Sequence, residues 1–213
     1  MIGIVFATRR EADPFLNGTL AERFADGPLP LFQTRLDGLA SSTVVIGGMG
    51  KVAAALAAAH LVRELGARVM INAGLCGCLA TGCSWTAGDL LRISTAVEGD
   101  CDRFGCAEPA VACDPRWFGQ LPPARLVTCD RPIFDSAQRA CLAGSGELAD
   151  MEGAAVARAA RFYGISCAMV KGISDAADES GRQQVADNID WLSARIADVL
   201  IQELMLNLTD RLP

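Results

Sequence analysis

Ile165-Ser166-Cys167-Ala168-Met169-Val170-Lys171-Gly172-Ile173-Ser174-Asp175-Ala176-Ala177-Asp178 is the stretch that decides the fold class. Ile165 to Ile173 has the length and apolar character of a buried strand, and Ser174 to Asp178 forms a polar turn at its C-terminal end. Helical patterns lie on both sides of it. Glu152 to Phe162 is helical and stops at Gly164, a natural C-terminal stop. After the turn, Val185, Ile189, Leu192, Ile196 and Val199 fall on one face of a last helix. A continuous apolar strand between two helices is the unit of a parallel sheet covered on both faces.

The same alternation extends outward. Ile2–Ala7, Thr43–Ile46, Leu90–Val97 and Leu126–Cys129 read as strands. Val69–Asn72 reads as a strand entering a Gly-rich turn, and Lys51–Leu65 as an Ala-rich helix with Val52, Leu56, Ala59 and Val62 three and four residues apart. Pro109–Pro123 and Gly18–Pro30 are the expected long loops, and neither is long enough to separate domains. The expectation is an α/β protein with one domain over residues 1–213, three-layered, with a mostly parallel mixed central sheet flanked by helices.

Composition narrows the function. The 213 residues are 51% hydrophobic, which supports a large core, and the formal charge of −6 does not suit a nucleic-acid surface, where Lys and Arg must cluster. No run of about 18 apolar residues suggests a membrane span. Met1 to Ala7 is too short for a signal peptide, so the chain reads as cytoplasmic. The nine cysteines include Cys76, Cys78 and Cys83, but zinc ligands require a second paired cluster that the sequence lacks. The lone histidine, His60, lies in the Ala-rich helix, where packing is its expected role. Neither metal nor cofactor is expected, and a small-molecule substrate is the expected partner.

In α/β sheets ligands gather at the C-terminal ends of strands, and four segments fall there. Glu11, in Ala7-Thr8-Arg9-Arg10-Glu11, is either a site residue or an acid favouring a helix N-terminus. Gly47-Gly48-Met49-Gly50-Lys51 has neither phosphate-loop nor dinucleotide-loop spacing and is either a tight turn or a ligand loop. Asn72-Ala73-Gly74-Leu75-Cys76-Gly77-Cys78 offers Cys76 as a nucleophile, but with no histidine nearby, packing of small residues is the better reading. Asp150-Met151-Glu152 and Ser174-Asp175 each place acids between a strand and a helix. They cap helices, or they converge on a polyhydroxylated ligand, one holding sugar hydroxyls and the other giving a proton.

Taken in order, five of these motifs resemble the nucleoside phosphorylase family, and within it the methylthioadenosine/S-adenosylhomocysteine nucleosidases. They are Gly3-Ile4-Val5 with Glu11, Gly48-Met49-Gly50-Lys51-Val52-Ala53-Ala54, Asn72-Ala73-Gly74, Met151-Glu152-Gly153-Ala154-Ala155, and Ile173-Ser174-Asp175-Ala176-Ala177-Asp178. The likeness runs from Ile2 to about Leu204.

The resemblance implies release of the base from a purine-type nucleoside with a modified 5′ position, such as methylthioadenosine, S-adenosylhomocysteine or futalosine. Asp175 would assist departure of the base at N7, Glu152 would bind the ribose hydroxyls, and Glu11 would orient the attacking water. Met151 would pack on the sugar, Phe104 near the sugar and its 5′ side, and Met49 near the 5′ substituent. Gly74, Ile133 and Ser174 complete the expected substrate-binding set. A homodimer is also implied.

Three positions depart from the nucleosidase pattern: Leu75, Arg131-Pro132-Ile133, and Val185 where a helix aromatic is usual. The phosphorylases of the hexameric branch carry an arginine shortly before the Gly-rich turn to clamp phosphate, where this chain has Met70-Ile71-Asn72. Arg9 and Arg10 stay open as phosphate ligands. Hydrolysis is the favoured expectation, because Glu11 would repel phosphate and assist water. Phosphorolysis and silent nucleoside binding are the alternatives.

Overall fold

Ile2, Ile4 and Phe6 pack into one apolar cluster while Val5 packs into another, so the first strand, β1 (Ile2–Phe6), is buried on both faces. That period-two split is repeated across the sheet and creates two cores, one on each side. The computed structural model describes residues 1–25, 27–80, 85–101 and 109–210. After β1 come α1 (Arg9–Gly18), β2 (Glu22–Ala25), β3 (Leu31–Gln33), β4 (Ser42–Ile46), α2 (Lys51–Arg63), β5 (Val69–Cys78) and β6 (Leu90–Glu98). The chain continues through β7 (Val111–Ala112), β8 (Pro123–Thr128), α3 (Ser136–Leu142), β9 (Leu148–Asp150), α4 (Gly153–Phe162), β10 (Ser166–Asp175) and α5 (Gly181–Asp210).

The strands form one mixed sheet in the order β10-β6-β8-β9-β5-β1-β4-β3-β2, with β7 on β6. Its middle is parallel: β1 pairs with β4 and β5, and β5 with β10. Antiparallel pairing enters through β2, β3, β7, the β5–β9 pair and the β6–β10 pair. Because β10 pairs with both β5 and β6, that half of the sheet closes on itself. One core is roofed by Ala54, Ala57, Ala58 and Leu61 of α2 with Ala154, Val156 and Ala160 of α4. The other is roofed by Phe15 and Leu16 of α1 with Leu192, Ile196, Leu200 and Leu204 of α5. None of the described helices is long and apolar enough to cross a membrane.

The α/β reading is correct, and two of its boundaries need correction. The strand expected to end at Asn72 continues to Cys78, and the one expected to end at Ile173 continues to Asp175. Gly74 and Gly77 do not break β5. A Cβ on Gly74 would lie 2.8 Å from Glu11 Oε1, and one on Gly77 would lie 2.9 Å from Asp175 Oδ1. These glycines are close-approach positions, where a neighbouring carboxylate occupies the space of the missing side chain. The expected long loops also carry structure, since Gly18–Pro30 contains β2 and Pro109–Pro123 contains β7.

Candidate active site

Thr8 caps α1. Its hydroxyl accepts a bond from Glu11 N, and Glu11 Oε2 accepts from Thr8 N at 3.0 Å and from Thr8 Oγ1 at 2.7 Å. This reciprocal capping box turns Glu11 inward, where Oε1 accepts from Leu75 N at 3.1 Å. The carboxylate is thereby fixed to α1 on one side and to β5 on the other, and it is buried.

Glu152 stands at the start of α4, and its side chain makes no bond to the helix it precedes. Oε1 instead accepts from Gly50 N at 2.8 Å, across from the start of α2. Gly50 reaches this position with φ 93°, a backbone geometry that favours glycine. Burial, then the neighbouring Asp150, pushes the Glu152 carboxyl up to about 7.

Asp175 ends β10. Its Oδ2 lies 2.7 Å from Ser174 Oγ, and Oδ1 accepts from Ala177 N at 2.8 Å. Ala177 adopts φ 51° to aim that N–H. Burial raises the Asp175 proton affinity above the ordinary carboxyl range despite these bonds, which suits a group that must give up a proton to substrate. Ser174 is itself fixed, its Oγ 3.1 Å from Cys76 O and its carbonyl accepting from Asn188 Nδ2.

Glu11, Glu152 and Asp175 line one cavity of about 410 Å3, together with Met49, Met151, Ile133 and Ser174. Two of the expected residues stand apart. Gly74 does not line the cavity but leaves room for the Glu11 carboxylate behind its wall. Phe104 lies outside the described residues. Leu75, Pro132, Phe134, Val185 and Ile189 supply much of the apolar wall, and Arg182 is the sole cation among the described lining residues. Cys76 also reaches the cavity, but burial holds its thiol well above the ordinary range, so it is not poised as a nucleophile.

Neither Arg9 nor Arg10 lines this cavity. Arg9 pairs with Asp13 and lies 4.7 Å from the Phe32 ring centroid, and Arg10 forms two bonds to Asp190, at 2.6 and 2.8 Å. Both guanidinium groups are engaged elsewhere, which leaves four carboxyl groups, those of Glu11, Asp150, Glu152 and Asp175, against Arg182 on the wall. Among the described residues, no three His, Cys, Asp or Glu side chains gather as metal ligands.

One feature of the floor escaped the sequence reading. Lys171 lies within β10, fully buried, with Nζ 2.7 Å from Asp150 Oδ2. Burial disfavours its charge, but Asp150 and Glu152 outweigh that and hold it protonated above its ordinary range. Asp150 also accepts from Thr128 Oγ1 at 2.6 Å and from Gly153 N at 2.8 Å. A lone lysine in an otherwise apolar strand was the available signal, since buried cations require partners. Arg182, Phe134 and Ile189 had no comparable signal, because only the fold brings their segments to the cavity.

Glu11, Glu152 and Asp175 thus place three held carboxyl groups on one largely apolar cavity, an arrangement able to transfer a proton and to stabilise a developing cation. Residues 2–204 match the family model of the Phosphorylase superfamily, and the chain belongs to that superfamily. It is 27% identical to the 5′-methylthioadenosine/S-adenosylhomocysteine nucleosidase of Treponema pallidum (strain Nichols), over 72% of each chain. An S-adenosylhomocysteine nucleosidase from Streptococcus pyogenes, solved in complex with 5-methylthiotubericidin, is 25% identical with a TM-score of 0.88 over 96% of each chain. The futalosine hydrolase of Helicobacter pylori strain 26695 has the same fold, with a TM-score of 0.86, 19% identity and 97% of each chain covered.

Proposed function

We propose that this chain is a nucleosidase that hydrolyses the N-glycosidic bond of a purine-type nucleoside with a modified 5′ position. The observation that carries this reading is the convergence of Asp175, Glu152 and Glu11 on one cavity, with burial raising the proton affinity of Asp175. Asp175 donates at N7 as the bond to the sugar lengthens, so the base leaves without building up full negative charge. Glu152 binds the ribose hydroxyls, and with Glu11 it stabilises the oxocarbenium-like sugar. Glu11, with two carboxylate oxygens already fixed by Thr8 and Leu75 N, orients the water that adds to C1′. Met151 packs on the sugar, Met49 meets the 5′ substituent, and Ile133 borders the base.

Water is favoured over phosphate because the lining carries four carboxyl groups while Arg9 and Arg10 are paired outside it. Methylthioadenosine, S-adenosylhomocysteine and futalosine are the substrates to try first, given the relatives' activities and the aliphatic Val185 and Ile189 in the wall. The test is incubation with these nucleosides in phosphate-free buffer, followed by separation of products. Free base and free sugar are expected. A phosphate requirement with formation of a sugar 1-phosphate would replace hydrolysis with phosphorolysis, and binding without cleavage would make the protein a nucleoside-binding one.

The proposal includes a homodimer. Val52 and Leu56 on α2 are 73% and 64% exposed, and Phe162 at the end of α4 is 82% exposed. Val52 and Phe162 line one surface groove, and exposed apolar side chains of this kind suit a subunit interface. Sedimentation that gives only monomer at micromolar concentration would remove this part. A cytoplasmic location completes the reading, supported by the unoxidised thiols of Cys76, Cys101, Cys113, Cys129, Cys141 and Cys167.

A further inference from the structure

Lys51 sits where three segments around the cavity meet, and none of the steps above uses it. Its Nζ lies 2.6 Å from Asp100 Oδ1, 3.2 Å from Glu98 Oε2 and 3.5 Å from Asp130 Oδ2. The side chain is 15% exposed, as is that of Glu98. Glu98 ends β6, Asp100 follows it, and Asp130 follows β8, so one ammonium gathers carboxylates from the ends of two strands. The backbone completes the junction. Lys51 N donates to Asp130 Oδ1 at 3.1 Å, and Asp130 N donates to Asp100 Oδ2 at 2.6 Å. Arg158 of α4 adds a second cation on Glu98.

Two functional parts hang from this junction. On one side, Gly50 immediately precedes Lys51 and gives its N–H to Glu152 Oε1. On the other, Asp130 leads into Pro132, Ile133 and Phe134, which form part of the cavity wall. We propose that Lys51 is a positioning residue for the reaction, a clamp that holds the Gly50 N–H on Glu152 and the 132–134 wall in register with each other. This rests on the nucleosidase reading for its catalytic consequence, but the clamp itself is a statement about geometry.

The reasoning is electrostatic. Without Lys51, Glu98, Asp100 and Asp130 share only the Arg158 cation among the groups named here, and their repulsion pushes the β6 and β8 ends apart. Asp130 then draws Lys51 N and Gly50 away from Glu152. The charged groups facing Glu152 are Asp150 on β9, Lys171 on β10 and Glu11 on α1, and all three stay in place. The change at Glu152 is therefore the loss of the Gly50 bond, which favours its ionised form.

The test compares Lys51→Met, Lys51→Arg and Asp130→Ala with the parent protein. In Lys51→Met, kcat/KM for the best nucleoside should fall about tenfold, the weight of one hydrogen bond to a charged group. The KM should rise, and the acid limb of the pH profile should move to higher pH. Lys51→Arg should recover most of both. Hydrogen exchange at the Gly50 amide, followed by NMR, should accelerate in Lys51→Met and in Asp130→Ala. Asp130 is half-exposed, so Asp130→Ala serves if Lys51→Met does not fold. A parental acid limb and parental Gly50 exchange in a folded variant would overturn the clamp. If the parent protein cleaves no nucleoside, the proposed function fails, while the exchange measurement still decides the clamp.

Discussion

Replacing Lys171 with methionine isolates the electrostatics beneath the site. The Lys171 and Asp150 side chains are each 1% exposed, with 2.7 Å between Nζ and Oδ2. Methionine fills similar space without charge, leaving Asp150 with donors from Thr128 and Gly153 but no counter-ion. Breaking a buried pair from one side costs about 3–5 kcal/mol, and the two remaining donors place this case at the low end, about 3 kcal/mol. For a protein of this size that corresponds to a fall in Tm of about 6–12 °C.

Urea unfolding followed by tryptophan fluorescence measures the loss directly. Asp150→Asn and the double variant complete a cycle in which the double should lose at least about 1 kcal/mol less than the sum of the singles. Lys171 is held above its ordinary 10.5, so its contribution is present in full below that pH and is lost as pH climbs through the higher folded value. The parent's stability should therefore fall at strongly alkaline pH, and Lys171→Met should lack that component. A single-variant loss below about 1 kcal/mol, or strict additivity in the cycle, would refute the account of the pair.

Asp175→Asn keeps the shape and removes the transferable proton, so base release should drop by about 10²–10⁴-fold with the fold intact; undiminished release would sink the mechanism. Gly77→Ala places a Cβ 2.9 Å from Asp175 Oδ1 and 3.2 Å from Ala177 Cβ. It should cost about 1–3 kcal/mol in unfolding experiments and reduce kcat as the acid is displaced. The pH profile of kcat/KM should rise through about 7 as Glu152 ionises. Glu152→Gln should abolish the acid limb in whatever activity remains. Because the Glu152 value is raised from 4.5, its ionisation opposes folding, and that penalty should grow between pH 4.5 and about 7 in the parent but not in Glu152→Gln.

Local chemistry explains which parts were legible in sequence. The strands buried on both faces announce themselves as apolar runs, and Glu11, Glu152 and Asp175 each belong to a short motif at a strand end. Gly74 and Gly77 misled because a glycine that opens a turn and one that admits a neighbour's carboxylate have the same local sequence. Only the register of β5 against β10, and the approach of α1, tells them apart. The β9 strand has three residues and was invisible to periodicity, although it delivers Asp150 to the floor. The wall residues Phe134, Arg182 and Ile189 come from segments separated by more than forty positions, and nothing local brands them as neighbours.

The acids and the wall are mounted differently, and this has a consequence for how the protein could change. Glu11, Glu152 and Asp175 are pinned by backbone N–H groups of Leu75, Gly50 and Ala177, bonds that substitution of wall side chains leaves in place. Ile133, Phe134, Arg182, Val185 and Ile189 also line the cavity, and none of these bonds to the three acids comes from them. Wall and reaction centre are thus separable modules. Under the proposed nucleosidase function, variation confined to those five wall positions would sample different bases and 5′ groups while the three acids stay held as they are, which would make this scaffold a starting point for redirecting cleavage to new nucleosides.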